Sequence, residues 1–194
     1  MTAWDPATPD EVRALFEPVG VPWWIAGGYA LELVAGRSWR SHDDIDVLVL
    51  RRDQLAVQDA LAGWEWWAAD PPGTLRPWAP GEVLGPAVQD VWCRPSAGAP
   101  WRVQVMLDET EGAEWVSRRD PAVRRPVAEL GVVVGEIPCL RAEIQLFAKA
   151  VNTREKDETD FREVVGSLRP AQRKWLAEAV RTACSPHHPW LARL

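Results

Sequence analysis

Cysteine is scarce in this chain: Cys93, Cys139 and Cys184 stand far apart and form no C-x-x-C pair. An odd, scattered set argues against a cysteine-built metal site and fits a reduced, cytoplasmic protein. Long apolar runs are absent as well; none approaches the roughly 18 residues that a membrane-crossing helix requires, so no membrane partner is expected. The start, Met1-Thr2-Ala3-Trp4-Asp5, lacks the basic stretch leading into an apolar one that marks a secretory signal. Basic residues are outnumbered, 22 Lys and Arg against 28 Asp and Glu, for a net charge of −6. That balance weighs against a nucleic-acid binder and suits a cationic small partner. No G-K-[S/T] follows a glycine turn, no G-x-G-x-x-G occurs, and no Ser-His-Asp or Cys-His arrangement emerges from the spacing. Internal repeats and low-complexity segments are missing too.

What is present is a globular composition, 47% hydrophobic and 26% charged over 194 residues, enough for one substantial core. Tryptophan is the unusual residue, thirteen against three phenylalanines and one tyrosine. Each buries a large area but needs a partner for its N–H, so half-exposed positions are expected alongside structural ones. Thr8-Pro9-Asp10-Glu11 reads as a capping box opening a helix through about Glu17. Trp23 to Ala26 is a compact strand candidate, followed by Gly27-Gly28 and a helical Tyr29 to Val34. Ile45 to Leu50 is the next strand, and Arg52 to Ala62 has helical spacing. Asp70 to Pro86, with five prolines and three glycines, reads as a long ordered loop of the kind that serves a site. Val88 to Arg94 and Trp101 to Leu107 read as a β-hairpin, and Val132 to Val134 as a short strand. After Pro138 three helices are expected: Leu140 to Val151, Asp157 to Leu168 and Ala171 to Cys184. The fold class is α+β, a mixed β-sheet flanked by helices. The expected division is 1–137 as the α/β domain and 138–194 as a helical region packed on it.

The chemistry concentrates in Gly27-Gly28 and His42-Asp43-Asp44-Ile45-Asp46. A strand entered through Asp44 puts Asp44 and Asp46 on one face and Ile45, Val47 and Val49 on the other. The two Cα atoms then lie roughly 6.6 Å apart, close enough to share a divalent ion, and hard oxygen ligands suit magnesium. Glycines between a strand and a helix let a phosphate reach the backbone, where the helix N-terminus supplies free N–H groups. Each feature has a plain alternative: the glycines as a tight turn, Ser41 to Asp44 as a polar turn, and Asp46 as a solvent-facing carboxylate. Together in one short unit they point to a phosphate cradle beside metal ligands.

These residues resemble the nucleotidyltransferase superfamily of the DNA polymerase β type, whose signature is Gly-Gly or Gly-Ser, a helix, then an Asp-x-Asp strand. The resemblance extends over most of the chain. Trp23 to Ala30, Arg40 to Val47, Glu143-Ile144-Gln145-Leu146-Phe147 with Lys149, and Lys156-Asp157 with Asp160-Phe161 are similar to the aminoglycoside and lincosamide nucleotidyltransferase branch, which implies an antibiotic-resistance enzyme. The resemblance implies that Asp44 and Asp46 ligate Mg2+, that Gly27 and Gly28 contact the phosphates of an NTP, with ATP the default donor, and that a nucleotide passes to a small hydroxylated acceptor. Arg40 and Lys149 are phosphate contacts or surface side chains on charge grounds. Lys156, Asp157 and Asp160 read as a charged network fixing the two halves. His42 is a phosphate contact, a proton-transfer group or a capping residue, and His187-His188 reads as a surface loop.

The sequence departs from the superfamily where a third carboxylate is usual on a neighbouring strand; the equivalent is Gln104, which neither ligates a hard metal well nor acts as a base. Asp90, on the partner strand of the hairpin, is the first candidate to replace it and to take the acceptor's proton, with Asp108 the second. The Trp64 to Trp78 segment is expected to shape the acceptor pocket. The alternative function is a nucleotide-binding sensor or antitoxin-like protein on the same fold, or a nucleotidyltransferase acting on protein or RNA.

Overall fold

A computed structural model describes residues 3–194; Met1 and Thr2, which open the segment read above for a secretory signal, lie outside the described residues. The first helix, α1 (Pro9–Phe16), starts where the sequence predicts. The Thr8 hydroxyl accepts from the Glu11 N–H at 3.2 Å, and the Glu11 carboxylate accepts from the Thr8 N–H at 2.8 Å. Then follow β1 (Trp23–Ile25), α2 (Gly27–Ala35), β2 (Asp46–Leu50), α3 (Gln54–Ala60), β3 (Glu65–Ala69), β4 (Leu75–Pro77), β5 (Asp90–Arg94), β6 (Val103–Glu111), β7 (Glu114–Val116), β8 (Arg124–Pro126), β9 (Gly131–Val134) and β10 (Ile137–Leu140). The chain closes with α4 (Ala142–Ala150), α5 (Glu155–Val164) and α6 (Pro170–Ala183). The fold is α+β with a mixed sheet, ordered β4-β3-β5-β6-β2-β1-β10-β9, from which β7 and β8 branch off the far end of β6.

Alternation along β2 creates two cores. Val47 and Val49 are buried with Ile25, Val91, Val103 and Val105 against Val12 and Phe16 of α1 and Val57 of α3. Leu48 and Leu50 point the other way, toward Leu31 of α2, Ile144 and Phe147 of α4, Phe161 of α5 and Leu176 and Val180 of α6. The sheet therefore lies between two helical layers. The α2, α4 and α5 layer covers only part of its face, and the carboxylates emerge at the margin of that layer.

The structure corrects several sequence expectations. Regular pairing of β2 begins at Asp46, so Asp44 lies in the turn ahead of the strand and not within it. The proline-rich stretch contains a strand, β4, which pairs antiparallel with β3. Its remaining turns are tied to α3, where Gln54 and Gln58 exchange hydrogen bonds with the backbone of Leu84, Ala79 and Gly81. Backbone–side-chain bonds of this kind order a loop without regular structure, and Trp64, Trp66, Trp67 and Trp78 line a separate cavity of their own. Trp66 and Trp78 meet edge to face in the first core, and none of Trp64, Trp66, Trp67 and Trp78 lines the cavity that holds the carboxylates. Val132 to Val134 is joined by an unanticipated partner, β10, which also pairs parallel with β1. Among the described residues no helix is long and apolar enough to cross a membrane.

Candidate active site

The site is built where β1 passes into α2. Gly27 adopts φ +67°, a left-handed value that a side chain resists, and a Cβ there would lie 2.4 Å from Asp46 Oδ2. A Cβ on Gly28 would meet Arg40 Nη2 at 2.1 Å and His42 Cε1 at 2.3 Å. The two glycines thus let a carboxylate on one side and a cation on the other approach the first turn of α2. The Gly27 N–H itself donates to Gln145 Oε1 of α4 at 2.9 Å.

A cavity of about 350 Å3 opens over this turn, and Gly27, Gly28, Arg40, His42, Asp44, Asp46, Asp90, Gln104 and Lys149 all line it. Desolvation in the cleft, reinforced by the Asp44 and Asp90 carboxylates, pushes the Asp46 carboxyl up to about 7, and Lys149 and Arg118 offset this only in part. Gln104 stands directly across from Asp46 in the parallel β2–β6 pairing, and Asp90 sits one strand further on, across from Met106. Asp108 lines the same cavity but is buried: its Oδ2 accepts the Trp115 indole N–H at 2.8 Å and its Oδ1 lies 3.6 Å from Arg118 Nε. Burial raises its pKa against the pull of Arg118. Among the described residues no group of three or more His, Cys, Asp and Glu side chains is gathered closely enough to hold a metal ion.

The basic residues divide into two sets. Arg40 grips Asp160 with both arms of its guanidinium, at 2.9 and 3.0 Å, and Lys149 Nζ lies 2.9 Å from both Asp157 and Asp160. These cations anchor α4 and α5 to the loop that leads into Asp44 while still lining the cavity. Asp157 and Asp160 do form the charged network, but with Lys149, Arg40, Trp39 and Arg154, while Lys156 stays exposed at the cavity rim. His42 is enclosed, its ring stacked on Tyr29 at 4.1 Å with Nδ1 3.0 Å from Arg40 and Nε2 3.2 Å from Glu32. Burial lowers its pKa although Glu32 pulls the other way. His188 reaches the Ala150 carbonyl at 3.1 Å and lies outside the cavity.

The second set was invisible to sequence reasoning. Arg118 and Arg119, in the connection between β7 and β8, and Arg154, at the start of α5, line the same cavity as the glycine turn. Arg118 lies 3.4 Å from Asp90. The Ser117-Arg118-Arg119 run is the one signal that marks them, a basic pair flanking a turn in an acidic chain.

The cavity can therefore take an anionic, phosphate-bearing molecule at its basic rim and present hard carboxylate oxygens at its floor. The family model of aminoglycoside-2''-adenylyltransferase matches residues 10–68, which include all of α1 but Pro9, the glycine turn, Asp44 and Asp46. No curated protein matches the chain. Among solved structures, the crystal structure of ANT(2")-Ia in complex with adenylyl-2"-tobramycin superposes with a TM-score of 0.54 at 17% identity, over 88% of this chain and 93% of that one. The lincomycin-bound crystal structure of the lincosamide antibiotic adenylyltransferase LnuA superposes with a TM-score of 0.54 at 17% identity, over 82% of this chain and 98% of that one. At such identities the likeness is one of fold. The chain thus resembles the aminoglycoside-2''-adenylyltransferase family in sequence over residues 10–68, and over most of its length it shares the fold of the aminoglycoside and lincosamide nucleotidyltransferases.

Proposed function

We propose that the protein transfers a nucleoside monophosphate, AMP from ATP, to a hydroxyl of a small acceptor of the aminoglycoside or lincosamide kind. The observation that carries this reading is the convergence in one cavity of a glycine turn, the Asp46 and Asp90 carboxylates on strands with Asp44 just ahead of one, and a rim of arginines and lysine.

The donor set fits magnesium. Asp44, Asp46 and Asp90 offer hard oxygens, no cysteine lines the cavity, and a carboxylate crowd that holds Asp46 near 7 favours a cation. Magnesium is commonly held by one or two carboxylates plus substrate phosphates, so Asp44 and Asp46 would suffice as protein ligands. When bound it would polarise the α-phosphate and offset charge on the leaving group.

The chain's own residues do the rest. The triphosphate lies along the first turn of α2 at Gly27 and Gly28, with Arg119, Arg154 and Lys156 facing its negative charge. The acceptor oxygen attacks the α-phosphorus, the bond from that phosphorus to the bridging oxygen breaks, and pyrophosphate leaves with that electron pair. The hydroxyl proton passes to Asp90, which lines the same wall one strand from Gln104. Arg40 and Lys149 act at one remove, fixing the loop before Asp44 through Asp160.

The test is incubation of the purified protein with labelled ATP, GTP, CTP and UTP and a panel of aminoglycosides and lincosamides, with product detected by mass. Adduct formation with release of pyrophosphate supports transfer. Tight nucleotide binding with no adduct for any acceptor overturns it in favour of a binding protein, the reading that Gln104 beside Asp46 favours.

A further inference from the structure

We propose that Gln104 is a positioning residue that, tethered by the Trp92 indole, holds the Asp90 carboxylate at the cavity wall and so lets a carboxylate on β5 do the work expected of one on β6. The inference deepens the nucleotidyltransferase reading and rests on it for the role of Asp90.

Three side chains form a chain across β5 and β6. Trp92 and Gln104 are direct cross-strand partners, and the Trp92 indole Nε1–H donates to Gln104 Oε1 at 2.9 Å. An indole N–H can only donate, so it fixes which end of the amide it meets. The Gln104 NH2 is thereby turned the other way, and Nε2 donates to Asp90 Oδ1 at 3.4 Å. The half-buried indole is held by its aromatic neighbours. Its ring lies edge-on against Trp4 at 5.1 Å and Trp101 at 5.7 Å, and Arg94 is stacked over Trp101 at 4.4 Å. The order of the tether therefore runs from a packed aromatic cluster, through an amide with one permitted orientation, to a half-buried carboxylate.

The neutral amide also explains itself by charge. Gln104 is in register with Asp46, and Asp90 is a diagonal neighbour across β5 and β6. A glutamate at 104 would set a fourth carboxylate among Asp44, Asp46 and Asp90, and would face Asp90 with an acceptor in place of a donor. Glutamine keeps three charges and contributes the N–H that a relocated third carboxylate requires. Arg118, 3.4 Å from the same Asp90 oxygen, holds it from the other side.

The experiment compares Gln104→Leu, Trp92→Phe and Asp90→Asn, singly and in pairs, on an acceptor that the wild type modifies. Gln104→Leu is expected to lower kcat about tenfold to a hundredfold, and Trp92→Phe, which keeps the ring and removes the N–H, about threefold to tenfold, with the KM for ATP changed less than twofold. In the Asp90→Asn background neither substitution should lower kcat further, because both act through that carboxylate. Additive losses, or a loss expressed in the KM for ATP, would overturn the proposal. A second readout needs no turnover: in 15N spectra, Asp90→Asn should shift the Trp92 indole N–H through Gln104, and Asp44→Asn should leave it in place. An indole signal indifferent to Asp90→Asn sinks the tether whatever the activity. Failure of the wild type to modify any acceptor, with the indole coupling intact, counts against the functional reading and leaves the tether standing.

Discussion

Arg40 and Asp160 are joined by two parallel hydrogen bonds, Nε to Oδ1 at 2.9 Å and Nη2 to Oδ2 at 3.0 Å, across 120 residues of sequence. Asp160 is fully buried and also accepts from the Trp39 indole N–H at 2.8 Å and lies 2.9 Å from Lys149 Nζ. One carboxylate thus satisfies two cations and an indole, and it is what binds α4 and α5 to the loop that presents Asp44. Removing it strands the Arg40 guanidinium and leaves Lys149 with the Asp157 carboxylate alone, in a poorly hydrated place, which costs far more than the pair itself contributes. Asp160→Ala should destabilise the protein by about 3–5 kcal/mol, measured by urea unfolding. Arg40→Lys keeps the charge but loses the fork, and should cost about 1–2 kcal/mol.

Asp157 gives the acid limit of the same network. Its carboxyl is half of the α5 capping arrangement, accepting from the Arg154 N–H at 3.0 Å and from Lys149 Nζ at 2.9 Å. Desolvation works to raise its pKa, but the bonds from Arg154 and Lys149 outweigh it and hold the group down to about 2. The ionised form is the one the fold prefers. Its contribution is therefore complete above the ordinary value near 3.8 and is lost as pH falls through about 2. The wild type should lose stability between pH 4 and pH 2, and Asp157→Asn should be less stable at pH 7 with a flatter slope over that interval. Equal slopes for the two proteins in thermal melts across the interval would contradict the assignment.

Local signals were legible in the sequence and long-range ones were not. The Thr8 capping box and the alternation of Ile45, Val47 and Val49 into the first core each depend on residues within a few positions of one another, and each appears as the sequence predicts; Gly27 and Gly28 mark the passage from strand to helix but open α2 themselves, two residues ahead of the expected Tyr29. β4 and β10 escaped because a strand within a proline-rich stretch, and one with Pro138 inside it, are defined by the neighbours they pair with, β3 for the former and β9 and β1 for the latter. At the site, Asp44, Asp46 and Asp90 were readable as carboxylates on strand-like runs. The commitment of Arg40 and Lys149 to Asp160 was not, since the partner lies 120 residues from Arg40 and no periodicity links them. Arg118 and Arg119 reach the cavity only because β7 and β8 fold back from β6, a pairing the sequence does not announce.

Asp46→Asn should separate activity from stability. The substitution removes a charge that Asp44 and Asp90 repel, and in the absence of a divalent cation it should raise stability by about 1 kcal/mol at pH 8. The same change removes a metal ligand and should lower nucleotidyl transfer at least a hundredfold at saturating ATP. A thermal melt beside a turnover assay decides it: a variant both less stable and fully active would show that Asp46 has neither role.

Gly28→Ala tests the close approach at the start of α2. The added methyl carbon would lie 2.1 Å from Arg40 Nη2 and 2.3 Å from His42 Cε1, and neither neighbour is free to withdraw. Arg40 is clamped by Asp160, and the His42 ring is stacked on Tyr29 and sits 3.2 Å from Glu32. An alanine inside a helix ordinarily stabilises by about 1 kcal/mol relative to glycine. Here the clash should reverse the sign and cost about 1–3 kcal/mol, the range expected for overpacking. His42→Ala in the same chain vacates the ring's volume on one side of the contact, so the double variant should recover part of the loss that Gly28→Ala causes, when each is referred to its own parent. A double-mutant cycle by chemical denaturation reads that coupling directly, and strictly additive losses would mean that the helix start is held apart from His42 by something other than the missing side chain.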